Sequence, residues 1–217
     1  MDFKLNSEQQ LLKDSVRRFV DKACGFEARA AMVKARAEGS AANWNAYAEN
    51  GWLAAALPEE YGGLGGTLLD TALISQELGR ALPLEPWLGC AVLGAQTLVA
   101  AGTPAQKDSL LPAVADGSCR IALAYSEPQS RGMAGPVALQ ARRTAQGYEL
   151  EGRKSLVLGG RDARMFIVSA SADDAKIPML LLVDGASAGL TREVLPLHDG
   201  TWAAELVFER VQVGPTP

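Results

Sequence analysis

The feature that most constrains this chain is a change of hydrophobic period near Gly117. Before it, apolar residues recur at helical spacing, and Leu12, Val16, Phe19, Val20 and Ala23 fall on one face of a long helix. After it the period shortens towards two and β-branched residues become more frequent. Residues 121–125, 138–143, 148–151, 155–158, 166–170 and 179–183 then read as strands. Leu206, Phe208 and Val211 carry the pattern into a last strand with an irregularity at Glu209-Arg210. A run of helices followed by a run of strands predicts an α+β chain, not an alternating βαβ sheet.

Punctuation residues divide the helical part. Asn6 and Ser7 offer caps, and Ser7 to Gln10 has capping-box spacing. Further helices are predicted over residues 43–54, 68–82 and 87–101. A last one starts behind Thr103-Pro104 and ends near Asp116-Gly117. With 217 residues, 48% of them hydrophobic, the chain can bury a sizeable core.

Several function classes are set aside on composition. A formal net charge of −4 argues against a nucleic-acid binder. Cys24, Cys90 and Cys119 form no CxxC pair and sit in apolar surroundings, which suits buried thiols in a reducing compartment. The apolar window "WLGCAVLGAQTLVAAG" is shorter than the roughly 20 residues that span a bilayer. "MDFKLNSEQQLL" lacks the basic and apolar regions of a leader, so a cytoplasmic location without a membrane span is expected.

Taken singly, the chemistry-bearing residues point to turns. "GGLGG" (residues 62–66) has no GxGxxG register and no preceding strand, and reads as a tight interhelical loop needing positive φ. His198, the single histidine, precedes Asp199-Gly200 without a GxSxG elbow or further metal ligands. Glu59 and Glu60 read as solvated. Glu127 precedes Pro128, which biases it to extended backbone, and nothing local predicts its burial. It reads as a loop carboxylate and not a base.

Read together, several segments resemble the acyl-CoA dehydrogenase family. "MDFKLNSEQQLLKDSVRRFV" is similar to its first helix, and "GWLAAALPEEYGGLGG" to its Gly-Trp…Pro-Glu-Glu-Tyr-Gly-Gly signature. "ALAYSEPQSRG" stands where the family has a Thr-Glu-Pro flavin loop. "YELEGRKSLVLGGRDARMFIVSA" resembles the hairpin that follows, and "DGTWAAELVFERVQV" the exit strand of the β-domain. The resemblance implies an all-α domain over residues 1–117 and an antiparallel β-barrel or β-sandwich domain over residues 118–217. It also implies that the family's C-terminal four-helix domain, with its catalytic glutamate, is absent from this chain. The implied cofactor is FAD, lined by Leu123, Ala124, Tyr125 and Ser126 and by Leu156, Val157 and Leu158. Ser130, Arg131 and Gly132 would lie near the flavin pyrophosphate or the acyl-CoA thioester. An electron-transfer flavoprotein is the implied acceptor of the complete enzyme, and a homo- or hetero-oligomer the implied assembly.

Two departures qualify what is carried over. Leu156, Val157 and Leu158 stand where many members have Trp-Ile-Thr or Trp-Ile-Ser, which removes an aromatic wall and a hydroxyl. "EPQSRG" replaces the common Glu-Pro-x-Ala-Gly-Ser-Asp. In these segments the chain is more similar to small subunits of bacterial heteromeric acyl-CoA dehydrogenases, such as pimeloyl-CoA dehydrogenase. The expectation is a portion of an FAD-dependent dehydrogenase, inactive by itself and binding FAD weakly or not at all. The alternative is a non-catalytic partner subunit. No catalytic residue and no metal ligand is assigned.

Overall fold

The computed structural model describes residues 4–37, 39–130, 136–172 and 178–214. Helix α1 (Ser7–Ala23) begins at a reciprocal cap in which Asn6 accepts from the Gln9 N–H and the Gln9 side chain accepts from the Asn6 N–H. This box sits one residue before the Ser7–Gln10 spacing, because Asn6 holds the extended backbone an N-cap needs. The predicted stripe faces inward: Val16 and Val20 are buried, with Leu12, Phe19 and Ala23 packed on the same cluster.

Helix α2 (Phe26–Lys34) has no buried residue, so it carries no apolar stripe and periodicity passes over it. Helix α3 (Ala41–Glu49) is capped by the Ser40 hydroxyl and stops at Asn50-Gly51, where Gly51 takes φ +73°, short of the predicted end at Ala54. A 3₁₀ turn (Glu59–Tyr61) and the glycine loop lead to α4 (Leu68–Gly79), and Gly62 and Gly65 have the positive φ that the loop requires. The apolar run after Pro86 is one continuous rod. Its first part is π-wound (Trp87–Gly94) and its second is α5 (Ala95–Ala101). Helix α6 (Pro104–Ala115) starts at a Thr103–Gln106 capping box.

Phe19, Tyr47, Trp52 and Trp87 form the aromatic centre of the helical part, with ring centroids 5.3 to 6.4 Å apart in edge-on or tilted contacts. Beside it α1 and α4 are clamped through Glu77, whose side chain is fully buried. Arg17 donates to it from Nε and Nη2 at 3.1 and 3.0 Å, and Arg80 from Nη1 at 3.2 Å.

The strands are β1 (Ile121–Ala124), β2 (Gln140–Thr144), β3 (Gly147–Leu158), β4 (Met165–Ala170), β5 (Met179–Asp184), β6 (Leu190–Pro196) and β7 (Trp202–Val213). They form a three-stranded sheet β1-β4-β5 and a four-stranded sheet β2-β3-β7-β6. Phe166, Val168, Leu150, Leu206 and Phe208 join both sheets in one buried cluster, so the α+β chain builds a sandwich and no closed barrel. One pair departs from the antiparallel expectation: β1 and β4 run parallel, because a long excursion through β2 and β3 separates them.

The two strands read at residues 148–151 and 155–158 are one strand, which contains Gly152 at φ +139°. Strand β6 was not predicted, since it is a half-exposed edge that alternates charged residues such as Arg192 and Glu193. The irregularity at Glu209-Arg210 is a bulge: Leu150 pairs with Val211 and Glu151 with Glu209, leaving Arg210 at φ +55°.

The two arginines hold the Glu77 carboxyl below the usual carboxylate range, against the burial that would raise it. Its contribution to stability is therefore complete above the unfolded value near pH 4.3 and is lost as pH falls through the folded one. Glu77→Gln is expected to cost about 1.5–3 kcal/mol at neutral pH and to flatten the acid limb of a denaturant-midpoint titration.

Candidate functional site

The helical rod lies on the sheets through glycines. A Cβ on Gly94 would stand 1.9 Å from the Ile121 carbonyl oxygen, and one on Gly89 would stand 2.4 Å from that of Leu158. The π-wound segment thus touches the main chain at the start of β1 and the end of β3. Cys90 is enclosed at this junction, and burial pushes its thiol up to about 12, which leaves it an inert packing group.

The two segments assigned to a cofactor wall lie side by side. The Ser155 N–H donates to the Ser126 carbonyl at 2.9 Å. The register of β3 against β7 shifts between Lys154 and Val157. Leu156 takes φ +52°, and its N–H donates to Glu205 Oε1 at 3.1 Å. This irregularity turns Leu156 outward, 48% exposed, and Tyr125, just past the end of β1, is 42% exposed.

The other assigned residues are placed differently. Ala124 and Val157 belong to the sandwich core, and Leu123 packs partly buried against the cluster under the helices. Ser126 is buried, with its hydroxyl 3.5 Å from that of Ser130. The Ser130 hydroxyl closes a turn, accepting from the Glu127 N–H at 3.0 Å and donating to the Glu127 carbonyl at 2.8 Å. Arg131 and Gly132 lie outside the described residues. His198 is exposed in the turn after β6.

Glu127 corrects the sequence reading. It is a buried carboxylate, 3% exposed, paired with Lys154 Nζ at 2.7 Å. Its oxygens also accept from the Leu139 and Ala138 N–H groups at 3.0 and 2.8 Å and from the Gln129 amide. Burial alone would raise this carboxyl, but the Lys154 ammonium and the two main-chain donors hold it below the usual range. A carboxylate so held is a fixed anion and not a base. Lys154 was the missed residue. Its signal was in the strand pattern, because Lys154 has the same parity as the inward Leu150, and an inward lysine requires an acceptor.

A cavity of about 380 Å³ opens beside Leu158, between α4, residues 82–89 and the start of β7, lined in part by Leu78, Pro83, Trp87 and Trp202. Both indole N–H groups are satisfied, Trp87 by the Ser75 hydroxyl at 2.8 Å and Trp202 by the Ala37 carbonyl at 3.0 Å, and the Arg161 guanidinium stacks on the Trp202 ring 4.1 Å from its centroid. Glu85 borders it, yet its carboxylate accepts from the Ser40 N–H, Asn43 Nδ2 and the Tyr47 hydroxyl at 2.8, 2.9 and 3.3 Å. The exposed Tyr125–Leu156 surface suits a flat ring system, with main-chain groups rather than the Ser126 hydroxyl to meet a polar edge. The adjoining cavity suits an apolar chain. Among the described residues no helix is long and apolar enough to cross a membrane.

Comparison with known proteins finds relatives of one family over nearly the whole chain. Residues 6–118 match the model of the acyl-CoA dehydrogenase N-terminal domain. The chain is 29% identical over 224 residues to the probable acyl-CoA dehydrogenase YngJ of Bacillus subtilis, covering 98% of this chain and 58% of that protein. It is 28% identical to the acryloyl-CoA reductase (NADH) of Anaerotignum propionicum, covering 98% of this chain and 56% of that protein. In structure it is similar to the ChsE4–ChsE5 complex of Mycobacterium tuberculosis, with a TM-score of 0.88 at 26% identity, over 99% of this chain and 57% of that one. The chain therefore spans less than two thirds of the length of these relatives.

The glycine contacts make a direct prediction. Gly89→Ala is expected to destabilise by about 1–3 kcal/mol, because its Cβ meets main-chain atoms that must move apart. Gly79→Ala, where nothing lies within 4 Å, is expected to be neutral or mildly stabilising in the same thermal melts.

Proposed function

This chain belongs to the acyl-CoA dehydrogenase family, and on that premise we propose that the complete protein α,β-dehydrogenates an acyl-CoA thioester with FAD, passing electrons to an electron-transfer flavoprotein. The observation that carries this reading is the Ser155–Ser126 main-chain bond, which brings the ends of β1 and β3 together with Tyr125 and Leu156 exposed and Leu158 lining the cavity. Leu123 to Ser126 and Leu156 to Leu158 would line the flavin mainly through main-chain groups and the exposed Tyr125 and Leu156 side chains. FAD, when bound, supplies the hydride acceptor. The chain's own residues hold the wall and enclose the apolar chain. Ser130, Arg131 and Gly132 are taken to border the thioester or the pyrophosphate. The proposed division is a helical unit over residues 1–117 and a strand unit over residues 118–217, in a cytoplasmic homo- or hetero-oligomer.

By itself the chain is inactive in this reading. Dehydrogenation needs a carboxylate base facing the acyl chain, and the acids at the wall and cavity are already engaged, Glu127 by Lys154, Glu205 by the Leu156 N–H, Glu85 by Ser40, Asn43 and Tyr47, Asp162 by Arg120 and Asp199 by Thr201. A second reading is a non-catalytic subunit that supports an active relative. It is favoured by Leu156 and Leu158 at the positions of the aromatic and hydroxyl, and by the likeness to a complex of two differently named proteins.

The test is a visible absorption titration of the purified chain with FAD. Weak, substoichiometric binding is expected, and stoichiometric flavin with a shifted visible band would overturn that expectation. Co-purification with a full-length relative that restores acyl-CoA-dependent bleaching only together with this chain would select the subunit reading.

A further inference from the structure

Lys154 is fully buried, and its ammonium has three protons and three acceptors on different pieces of chain. Nζ lies 2.7 Å from Glu127 Oε1 in the turn after β1, 2.8 Å from Ser169 Oγ on β4 and 3.5 Å from the Tyr125 carbonyl. Glu127 in turn receives donors on both oxygens, so the pair and its neighbours form a closed polar network. One residue further along β3, the Ser155 N–H leaves the β7 ladder and donates to the Ser126 carbonyl. Leu156 then enters its left-handed conformation.

We propose that Lys154 is a positioning residue, which locks the Tyr125–Ser126 end of β1 to the Ser155–Leu156 irregularity of β3 and so sets the spacing of the two exposed side chains of the wall. The choice of an ion pair supports this. An apolar pair could fill the same volume with equal or greater stability, but could not bind a main-chain carbonyl, a hydroxyl and a carboxylate at once. Burial lowers the Lys154 ammonium, and the Glu127 carboxylate opposes that shift. The role in the free chain is independent of any ligand. Its consequence for a flavin rests on the function proposed above.

The experiment is amide hydrogen exchange on the full chain and on Lys154→Met and Glu127→Gln/Lys154→Met. In the double variant no buried charge is left uncompensated, and the glutamine oxygen can still accept from one of the two main-chain N–H groups, so its melting temperature should return part of the way towards that of the unsubstituted chain. Exchange at Ser155 is expected to rise at least tenfold in Lys154→Met and to stay raised in the double variant. A merely structural ion pair predicts instead that protection at Ser155 recovers together with the melting temperature. That recovery, or no loss of protection in Lys154→Met, overturns the proposal. FAD titrations on the same samples report separately. An unsubstituted chain that binds no FAD counts against the flavin reading, while exchange at Ser155 still decides the positioning role.

Discussion

Main chain resting on main chain, at Gly89 and Gly94, is the constraint on which the rest of the molecule depends. With no side chain at either position the π-wound segment lies directly on Leu158 and Ile121. That approach lets Ala95, Leu98, Leu111 and Val114 share one buried cluster with Ile121 and Ile167. The helical and stranded parts are thereby joined through a core and not only through a covalent link. The cavity beside Leu158 is a product of the same junction, since its walls come from α4 and the rod on one side and from β3 and β7 on the other.

Three buried acids show how the chain treats charge in its interior. Glu77 is met by guanidinium groups of two helices, Glu85 by three neutral donors and Glu127 by an ammonium and main-chain N–H groups. Each carboxylate has its lone pairs occupied, as burial of an ion demands. None is arranged to exchange a proton with a ligand. The wall formed by Tyr125 and Leu156 thus offers shape and main-chain polarity. Its position relative to β4 is held by Lys154, and its outward tilt by Glu205 at the Leu156 N–H.

How much of this was legible in the sequence depended on whether a residue's surroundings are local. The stripe of α1, the Thr103-Pro104 start of α6 and the Arg210 bulge are written in neighbouring residues, and the structure has all of them. Helix α2 and strand β6 escaped because neither buries a continuous face, so hydrophobic period carries no signal there. The assigned wall segments do meet, yet Ala124 and Val157 are buried, and the register shift after Lys154, which breaks the pleat alternation, leaves Leu156 exposed beside the exposed Tyr125. Glu127 misled most. Its proline neighbour and polar loop suggested solvent, while its partner Lys154 stands far along the chain.

The sequence by itself determined that helices precede strands, the Thr103-Pro104 start of α6, the glycine-rich turn and the family to which the chain belongs, because each rests on residues close in the chain or on motifs in fixed order. Only the tertiary structure decided which carboxylates are buried, which glycines bear a main-chain contact and which side chains of the wall remain exposed. Those outcomes are set by what a residue meets across the fold. Burial is a property of that meeting, and the partners that decide it, Arg17 for Glu77 and Lys154 for Glu127, stand far along the chain.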